Sequence, residues 1–428
     1  MRLRTSLRAS CALWALPFAI ALSLFYYFAA NSTAPPNALH FAPAITSAPI
    51  LPLYAIAYAF AGSLATWESG RLRSAGIWAL SPARSRYRVA AHALLPVLGT
   101  SWIVLILPTT LALVQYTTFP TLDSLRLLAM AILVCAGHAV LGFAIGMRVS
   151  HVIAAPIVAA TIWVMVAFSW AVDPPWLRHV SGQYPTDLMF GEVPSLISLT
   201  PHILLTWGIA AGVSLLWLPL RSGLARITLG FAIALAGPVG AYEIARDWSY
   251  NPPLTVGQAE MACLGESPKV CMPEATASHL PKVRRDVVSV LNGLEAAGIN
   301  TSPVVITDRV VDGRFSRPST AKSWRLPLTA AAERGSVRFQ TLGAAVRFPC
   351  TRPDFAAARP AMLWAAEVTH LSDSYRKWVS QQGEPATDDT AGSWADTQKV
   401  VAKTRLLPVE QQAQWFAKII NNACDEKA

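Results

Sequence analysis

Long uncharged stretches of apolar residues recur along the first 242 residues of the chain. An α-helix of about 20 such residues is long enough to cross a bilayer core of about 30 Å. Seven runs approach this length, at 10–30, 44–66, 91–114, 127–147, 152–172, 202–220 and 225–242. The pattern predicts about seven transmembrane helices, the last two joined by a very short loop.

The pattern changes after residue 242, where polar and charged residues break up the apolar runs. Leu280, Val283, Val287, Leu291 and Leu294 follow the spacing of an amphipathic helix, and the short segments KVCMP and PVVITD indicate strands. We therefore predict a polytopic α-helical membrane protein with a C-terminal extracytoplasmic α+β domain. The predicted parts are a transmembrane domain at 1–242, a linker at 243–262 and the α+β domain at 263–428.

Charge divides the chain at the same place. Residues 1–242 hold 13 basic and 5 acidic residues, whereas residues 243–428 hold 22 and 20. Only 14% of the 428 residues are charged, against about 25% in a typical soluble protein. Most of the net charge of +10 belongs to the first part. No basic stripe is interleaved with aromatic residues, so we expect no nucleic-acid partner.

The arginines predict the orientation of the helices, because cytoplasmic loops of membrane proteins are enriched in basic residues. An N-terminus inside the cell places 11 of the 13 arginines of the first part inside, and only Arg126 and Arg178 outside. With seven spans, the C-terminal domain then lies outside a cell membrane that the chain crosses repeatedly. Residues 1–30 also have features of a cleaved signal peptide, but their apolar run is longer than usual for one, which favours a retained helix.

The six cysteines divide in agreement with this topology. Cys11 and Cys135 fall within predicted spans, whereas Cys263, Cys271, Cys350 and Cys424 fall in the outer domain, where disulfides persist. Three pairings of four cysteines exist, and we favour Cys263–Cys271 as a local loop and Cys350–Cys424 as a tie for the C-terminus. A zinc site is the alternative, but the chain has no CxxC pair to support it.

Motifs for catalysis are missing or incomplete. The chain contains no Gly-Lys dipeptide and therefore no phosphate-binding GxxxxGK[ST] loop, so any ATP-driven function requires another subunit. The segment AEVTH at 366–370 resembles the zinc-protease motif HExxH, with Ala366 in place of the first histidine ligand. Glu367 and His370 alone make peptidase activity unexpected. We predict no enzyme activity, no cofactor and no metal.

His138 lies inside the fourth predicted span, where an ionisable side chain suggests a functional role. The same span contains Gly142-x-x-x-Gly146, a motif that permits close contact between helices. His138 could therefore form a hydrogen bond across such a contact, or line the path of a substrate.

The loop between the second and third spans, WESGRLRSAGIWALSPARSRYR, is basic and also apolar. It combines Glu68 and Gly70 with Ile77, Trp78 and Leu80, and Ser81-Pro82 is expected to end a short helix at the membrane surface. Its five arginines are Arg71, Arg73, Arg84, Arg86 and Arg88. Positive charge for topology alone would not require the apolar residues. The composition instead predicts a face that contacts a cytosolic partner or lipid head groups.

One pattern in this loop resembles the cytoplasmic coupling region of type-2 ABC exporter permeases. It consists of Glu68, Gly70, Leu72, Leu80, Ser81, Pro82 and Arg84, and the basic N-terminus MRLRTSLR also fits that family. The resemblance covers residues 1–240, although such permeases usually have six spans. It implies a subunit that works by alternating access as a homodimer or heterodimer, with a separate cytosolic ATPase bound at this loop. The substrate is not indicated.

The segment from Cys263 to Cys424 resembles an uncharacterised C-terminal domain of membrane proteins from high-GC bacteria. Some proteins of that general architecture carry a zinc-peptidase-like helix, from which this chain departs at Ala366. A second interpretation of the whole chain is a non-transporting membrane sensor or assembly protein that acts through this outer domain.

Overall fold

The computed structural model describes residues 10–29, 38–78, 85–217, 222–381 and 394–424. The chain forms two compact units, Met1–Gln258 and Ala259–Ala428, and each has its own hydrophobic core. The boundary between the units lies within the predicted linker 243–262.

The first unit is built almost entirely of helices. They are α1 (Ala12–Ala29), α2 (Ala42–Ile50), α3 (Tyr54–Ser74), α4 (Arg86–Gln115), α5 (Leu122–Gly146), α6 (His151–Ala167), α7 (Leu196–Leu215) and α8 (Gly223–Ala245). A single 3-10 turn, Leu51–Leu53, joins α2 to α3. Two short strands, β1 (Val193–Pro194) and β2 (Leu254–Thr255), pair antiparallel.

Six of the seven predicted spans correspond to helices long and apolar enough to cross a membrane, which indicates a membrane protein. The run 44–66 lies within a longer segment of 33 residues, Ala42–Ser74, which comprises α2 and α3. The run 152–172 differs, because α6 has only 17 residues and is followed by the 3-10 turn Ser169–Ala171. At about 1.5 Å per residue, α6 is shorter than a bilayer core of about 30 Å.

Helix α3 lies at the centre of the first unit and packs against α4, α5 and α6. Of the most apolar 18 residues in the segment Ala42–Ser74, 72% are buried, whereas the corresponding share for α8 is 17%. A helix that is apolar on all sides is buried only when other helices surround it. Helix α3 is therefore the element around which the others are arranged.

Small residues bring α3 and α5 into direct backbone contact. A Cβ atom on Gly142 would collide with the carbonyl oxygen of Gly62, and one on Gly146 would collide with that of Thr66. The Thr66 hydroxyl lies 2.8 Å from the Gly62 carbonyl oxygen and 2.9 Å from that of Gly142, so it bonds within α3 and across to α5. The predicted Gly142-x-x-x-Gly146 motif thus forms a close helix–helix contact.

The second unit contains a four-stranded sheet followed by helices. Its strands are β3 (Met261–Leu264), β4 (Lys269–Pro273), β5 (Val305–Asp308) and β6 (Ser323–Leu326), adjacent in that order. β3 and β4 are antiparallel, whereas β4, β5 and β6 are parallel. Its helices are α9 (Leu280–Ala296), α10 (Leu328–Glu333), α11 (Val337–Ala345), α12 (Phe355–Val368), α13 (Ser372–Gln381), α14 (Trp394–Arg405) and α15 (Val409–Asn422).

The apolar stripe predicted for α9 is confirmed, since Leu280, Val283, Val287, Leu291 and Leu294 are all buried. They belong to a core that also contains the fully buried rings of Trp324 and Trp364. The Trp364 indole nitrogen donates a hydrogen bond of 2.9 Å to the Gln412 side chain, which satisfies its polar atom.

Both favoured disulfides are confirmed. Cys263 and Cys271 are register partners on β3 and β4, so their bond crosses the antiparallel pair. Cys350–Cys424 joins the segment before α12 to the end of α15, next to a hydrogen bond of 2.7 Å from the Asp354 amide to the Ala423 carbonyl oxygen. Disulfides persist in oxidising compartments, which indicates that the second unit is extracytoplasmic. Cys11 and Cys135 are free thiols.

Substitution of Gly142 by alanine should destabilise the first unit, because the added methyl group meets the Gly62 backbone, which cannot rotate away. We expect a loss of about 1–3 kcal/mol, typical of overpacking, measured by thermal unfolding in detergent. Gly99→Ala in α4 is the matched control, since its Cβ would meet nothing within 4 Å. The control should be neutral or stabilising, and equal unfolding temperatures for the two variants would contradict the contact.

The two disulfides should contribute unequally to the stability of the second unit. Cys350 and Cys424 are separated by 74 positions and Cys263 and Cys271 by 8. Loop-closure entropy gives about 4.5 kcal/mol for the longer loop and about 2.5 kcal/mol for the shorter. Chemical denaturation of the Cys350→Ser/Cys424→Ser and Cys263→Ser/Cys271→Ser proteins should therefore show the larger loss in the first. The reverse order would mean that local strand pairing depends on its disulfide more than the C-terminus does.

Candidate functional site

The predicted coupling residues Glu68, Gly70, Arg71 and Arg73 lie in the last two turns of α3. The expected separate surface helix is not found over residues 70–74, because α3 continues without a break from Tyr54 to Ser74. A turn at 75–78 follows, and residues 79–84, which include Leu80, Ser81, Pro82 and Arg84, lie outside the described residues. We call residues 67–78 and 85–88 the basic segment.

Glu68 is buried and binds the beginning of α1. One carboxylate oxygen accepts hydrogen bonds from the Ser10 hydroxyl at 2.8 Å and from the Cys11 amide at 2.5 Å. The other oxygen pairs with the Arg71 guanidinium at 2.7 Å. Amides at the start of a helix lack partners within the helix, and the helix dipole favours an anion there. Glu68 therefore caps α1 from a neighbouring helix.

Gly70 permits the end of α3 to lie against the start of α6. A Cβ on Gly70 would collide with the Cβ of His151. The His151 ring also meets the Trp67 ring edge to face, with centroids 4.8 Å apart. Glu68 and Gly70 thus make intramolecular contacts that fix the position of the basic segment.

Aromatic rings fix the remainder of the basic segment. Trp78 contacts Phe143 of α5, and Phe143 contacts Trp217, just after α7, at centroid distances of 6.3 and 5.7 Å. From the other side, Tyr87 of α4 lies 5.9 Å from Trp217 and donates a hydrogen bond of 2.6 Å to the Ser214 carbonyl oxygen. The basic segment is thereby attached to α5 and α7 as well as to α1 and α6.

The accessible part of the basic segment includes arginines as well as small residues. Arg71, Arg86 and Arg88 are exposed and Arg73 is half-buried. Arg71 and Arg73 lie in the last turn of α3, where cations are favoured by the helix dipole. Arg86 and Arg88 lie in the first turn of α4, where the dipole disfavours cations. Stability of α4 therefore does not account for Arg86 and Arg88.

His138 does not bond across the glycine contact through its Nε2 atom. Its ring stacks on Tyr58 of α3, with centroids 5.2 Å apart. The Nε2 atom is buried, and it has no hydrogen-bond partner within the described part of the chain. The sequence left two roles for His138, a structural hydrogen bond and a place along a substrate path. Its Nε2 atom makes no such hydrogen bond, and the substrate path stays a prediction.

The AEVTH segment does not form a helix with two ligand positions. Helix α12 ends at Val368, and His370 follows with a φ of 57° and is exposed. Ala366 is buried in the core, and Glu367 lies 3.5 Å from the Arg405 guanidinium. Among the residues that the structure describes, no group of three or more His, Cys, Asp or Glu side chains is arranged to hold a metal ion.

Two buried carboxylates of the second unit lie at the end of β5 and just after it. Asp308 accepts hydrogen bonds from the amides of Thr329 at 2.6 Å and Val310 at 3.1 Å. Burial raises the pKa of Asp308, and these hydrogen bonds oppose the rise. One oxygen of Asp312 lies 3.4 Å from both the Arg317 and the Arg325 guanidinium groups. These contacts within the unit hold the loop between β5 and β6.

Comparison of the chain with protein-family models, curated proteins and solved structures returns no match. The resemblance to type-2 ABC exporter permeases therefore remains a prediction that rests on the sequence pattern from Glu68 to Arg84.

Sequence patterns do not indicate most contacts of the basic segment. Glu68 is bound by Ser10 and Cys11, which lie 58 and 57 positions away along the chain. The aromatic contacts join the turn after α3 to α4, to α5 and to the end of α7. The one available signal was that Glu68 is the only acidic residue in the arginine-rich loop. A solitary acid among arginines is compatible with a buried structural role as well as with partner binding.

Loss of the Glu68 carboxylate should loosen the start of α1. In Glu68→Ala, the Cys11 amide and the Ser10 hydroxyl lose their acceptor, and we expect a loss of about 2 kcal/mol, typical of hydrogen bonds to a charged group. Hydrogen exchange over residues 11–16 and thermal unfolding measure the effect. Glu68→Gln keeps a neutral acceptor and should lose less.

Arg71→Ala is the matched control, because it removes the partner of one Glu68 oxygen and keeps the other oxygen, which accepts from Ser10 and Cys11. Because Glu68 is buried and Arg71 is exposed, loss of this pair should lower overall stability. The acceptor of the Cys11 amide stays in place, so exchange at the start of α1 should change less than in Glu68→Ala. If exchange in Glu68→Ala resembles that in Arg71→Ala, Glu68 does not act as the cap of α1.

Proposed function

We propose that the chain is the membrane-embedded permease subunit of an ABC-type exporter and that a separate cytosolic ATPase docks on the basic segment. The observation that carries the proposal is the combination of accessible arginines with firm attachment of the segment to the helix bundle. Arg71, Arg73, Arg86 and Arg88 supply an electropositive surface, which suits an acidic groove on a partner.

Attachment of the basic segment matters because a docking partner must move the helices that enclose a transported substrate. The segment includes the end of α3, which packs against α4, α5 and α6. Glu68 connects it to α1, His151 to α6, and the Trp78–Phe143–Trp217 contacts connect it to α5 and α7. Since these contacts join several packed helices, displacement of the segment would displace the bundle with it.

The proposed mechanism follows from what the chain contains. It has no phosphate-binding loop, so ATP binding and hydrolysis belong to the partner. We place the N-terminus and the basic segment inside the cell and the disulfide-containing second unit outside, as the distribution of arginines and cysteines indicates. This placement needs seven crossings, so it counts α6 as a span, for which 17 residues is the short end of the usual range. Two copies, or this chain with a homologous one, would alternate between inward-open and outward-open states.

A second function is favoured by one specific feature, the compact disulfide-linked second unit. It has its own hydrophobic core and both disulfides, and it accounts for about two-fifths of the chain. A membrane sensor or assembly protein would act through this unit, without an ATPase, and the basic segment would then serve as a topology determinant.

Purification of the tagged protein from cells in mild detergent distinguishes these functions. We expect an ATPase to copurify with the unsubstituted protein and to be lost from Arg73→Ala/Arg86→Ala/Arg88→Ala. At about 0.5 kcal/mol for each exposed ion pair, affinity should fall by about tenfold, and recovery should also fall with added salt. Glu68 and Arg71 are left intact so that the cap on α1 is unchanged.

The matched control is Arg178→Ala/Arg246→Ala, which removes arginines that we place on the outer side of the membrane. It should retain the ATPase. Equal recovery with both variants would contradict docking on the basic segment, and absence of any ATPase from the unsubstituted protein would favour the second function.

A further inference from the structure

A loop enters the helix bundle of the first unit at Gly182. The neighbouring side chains of Val180 and Tyr184 are buried, and Gly182 has a φ of 94°. A Cβ on Gly182 would lie 2.9 Å from the Tyr58 ring and 3.0 Å from the Val134 side chain. Only glycine fits comfortably between these two helices with this backbone conformation.

Both backbone polar groups of Gly182 are held by side chains of the bundle. The Tyr58 hydroxyl on α3 donates a hydrogen bond of 2.7 Å to the Gly182 carbonyl oxygen. The Gly182 amide donates a hydrogen bond of 3.1 Å to Nδ1 of His202 on α7. The loop is therefore tied to two different helices at a single residue.

The second hydrogen bond fixes the state of His202. Because Nδ1 accepts a hydrogen bond from the Gly182 amide, the ring is neutral and carries its own hydrogen on Nε2. His202 is fully buried, and this Nε2–H group has no hydrogen-bond partner in the described ranges. The structure thus contains a buried hydrogen-bond donor without an acceptor.

Two further polar atoms near this loop are buried without partners among the described residues, the Tyr54 hydroxyl and Nε2 of His138. Their rings flank Tyr58, with centroid distances of 6.1 Å for Tyr54 and 5.2 Å for His138. Buried polar atoms are almost always hydrogen-bonded, and clustered exceptions point to a missing water or ligand. We call Tyr54, Tyr58, His138, Gly182 and His202 the Gly182 cluster.

We propose that the Gly182 cluster is a binding site for a small uncharged polar solute with hydrogen-bond-accepting oxygen atoms, covered by the loop Val180–Tyr184. The Nε2–H group of His202 and the Tyr54 hydroxyl would donate to the solute. The rings of Tyr58 and His138, packed on each other with centroids 5.2 Å apart, add aromatic carbon to the lining of the site. Tyrosine and neutral histidine provide these contacts without net charge, so a charged solute would lose its hydration without compensation. The site exists independently of the ATPase proposed above.

A native thiol reports on access to this site. Cys135 is fully buried and precedes His138 by three positions on α5. Residues three apart on a helix share a face. In a Cys11→Ser protein, Cys135 is the remaining free cysteine, since the other four form disulfides.

The test is the rate at which Cys135 reacts with methyl methanethiosulfonate, a small uncharged polar reagent, in the purified full-length protein. The thiol forms a mixed disulfide and methanesulfinate leaves, which mass spectrometry detects. We expect slow labelling in the Cys11→Ser protein and labelling about fivefold faster after Tyr58→Phe. Tyr58→Phe removes the hydrogen bond to the Gly182 carbonyl oxygen, which is worth about 1 kcal/mol. Its loss raises by about fivefold the population of molecules in which the loop 180–184 no longer covers the site.

Tyr87→Phe is the matched control. It also removes one tyrosine hydroxyl that donates to a backbone carbonyl, but that hydroxyl binds Ser214 in the basic segment. Its labelling rate should equal that of the Cys11→Ser protein. A cationic methanethiosulfonate of similar size should label Cys135 at least tenfold more slowly than the uncharged reagent in every variant.

Three results would overturn the proposal. They are no labelling of Cys135 by the uncharged reagent even after Tyr58→Phe, equal acceleration by Tyr58→Phe and Tyr87→Phe, and equal rates for the charged and uncharged reagents. None of them depends on whether an ATPase copurifies, so the proposed function and this site can fail separately.

Discussion

The close approach of α3 to α5 and α6 is the constraint on which the first unit depends. Gly142 and Gly146 of α5 lie directly on the backbone of α3, and Gly70 of α3 lies directly on His151 of α6. Apolar side chains gain little from contacting each other rather than lipid, so helices in a membrane are held by dispersion contacts and by hydrogen bonds between small residues. Thr66, within hydrogen-bond distance of carbonyl groups on both helices, adds a polar contact at the same place.

A buried carboxylate in such a bundle requires compensation. Glu68 is buried beside these glycine contacts, and a lone buried charge costs several kcal/mol. Ser10, the Cys11 amide and Arg71 together supply three donors to its two oxygens. The same hydrogen bonds give the amide at the start of α1 an acceptor. The Glu68 contacts therefore compensate both the buried carboxylate and the unpaired end of the helix. The arrangement also explains why α3 continues past its apolar part to carry arginines at its end.

The sequence predicted features that arise from local pattern and from composition. Runs of apolar residues marked the long helices, helical spacing marked Leu280 to Leu294 of α9, and the distribution of cysteines marked both disulfides. It did not predict the shorter α6, because 152–172 is apolar throughout and the helix end depends on the turn that follows. The continuation of α3 through Arg71 and Arg73 was also missed, since composition does not distinguish the end of a long helix from a separate surface helix.

Candidate sites were less accessible than the fold, because their residues are distant in the chain. His138 could be selected from its depth in an apolar run, but nothing in the sequence joins it to Tyr58, Gly182 and His202. These residues come from α5, α3, a loop and α7, and only tertiary packing brings them together. Glu68 could be selected as a solitary acid, yet its partners Ser10 and Cys11 lie before the first apolar helix.

Helix α3 connects the two regions of the first unit for which we propose roles. Tyr58 and Glu68 are ten positions apart on this one unbroken helix, a separation of about 15 Å along its axis. An α-helix transmits displacement along its axis with little compression, because its hydrogen bonds run in that direction. A partner that moves Arg71 and Arg73 therefore also moves the hydroxyl group that holds Gly182. The basic segment and the Gly182 cluster are then coupled directly through α3, without a relay of side-chain contacts between them. The coupling requires only a shift of α3 against α5, at the interface where glycines bring the two backbones into contact.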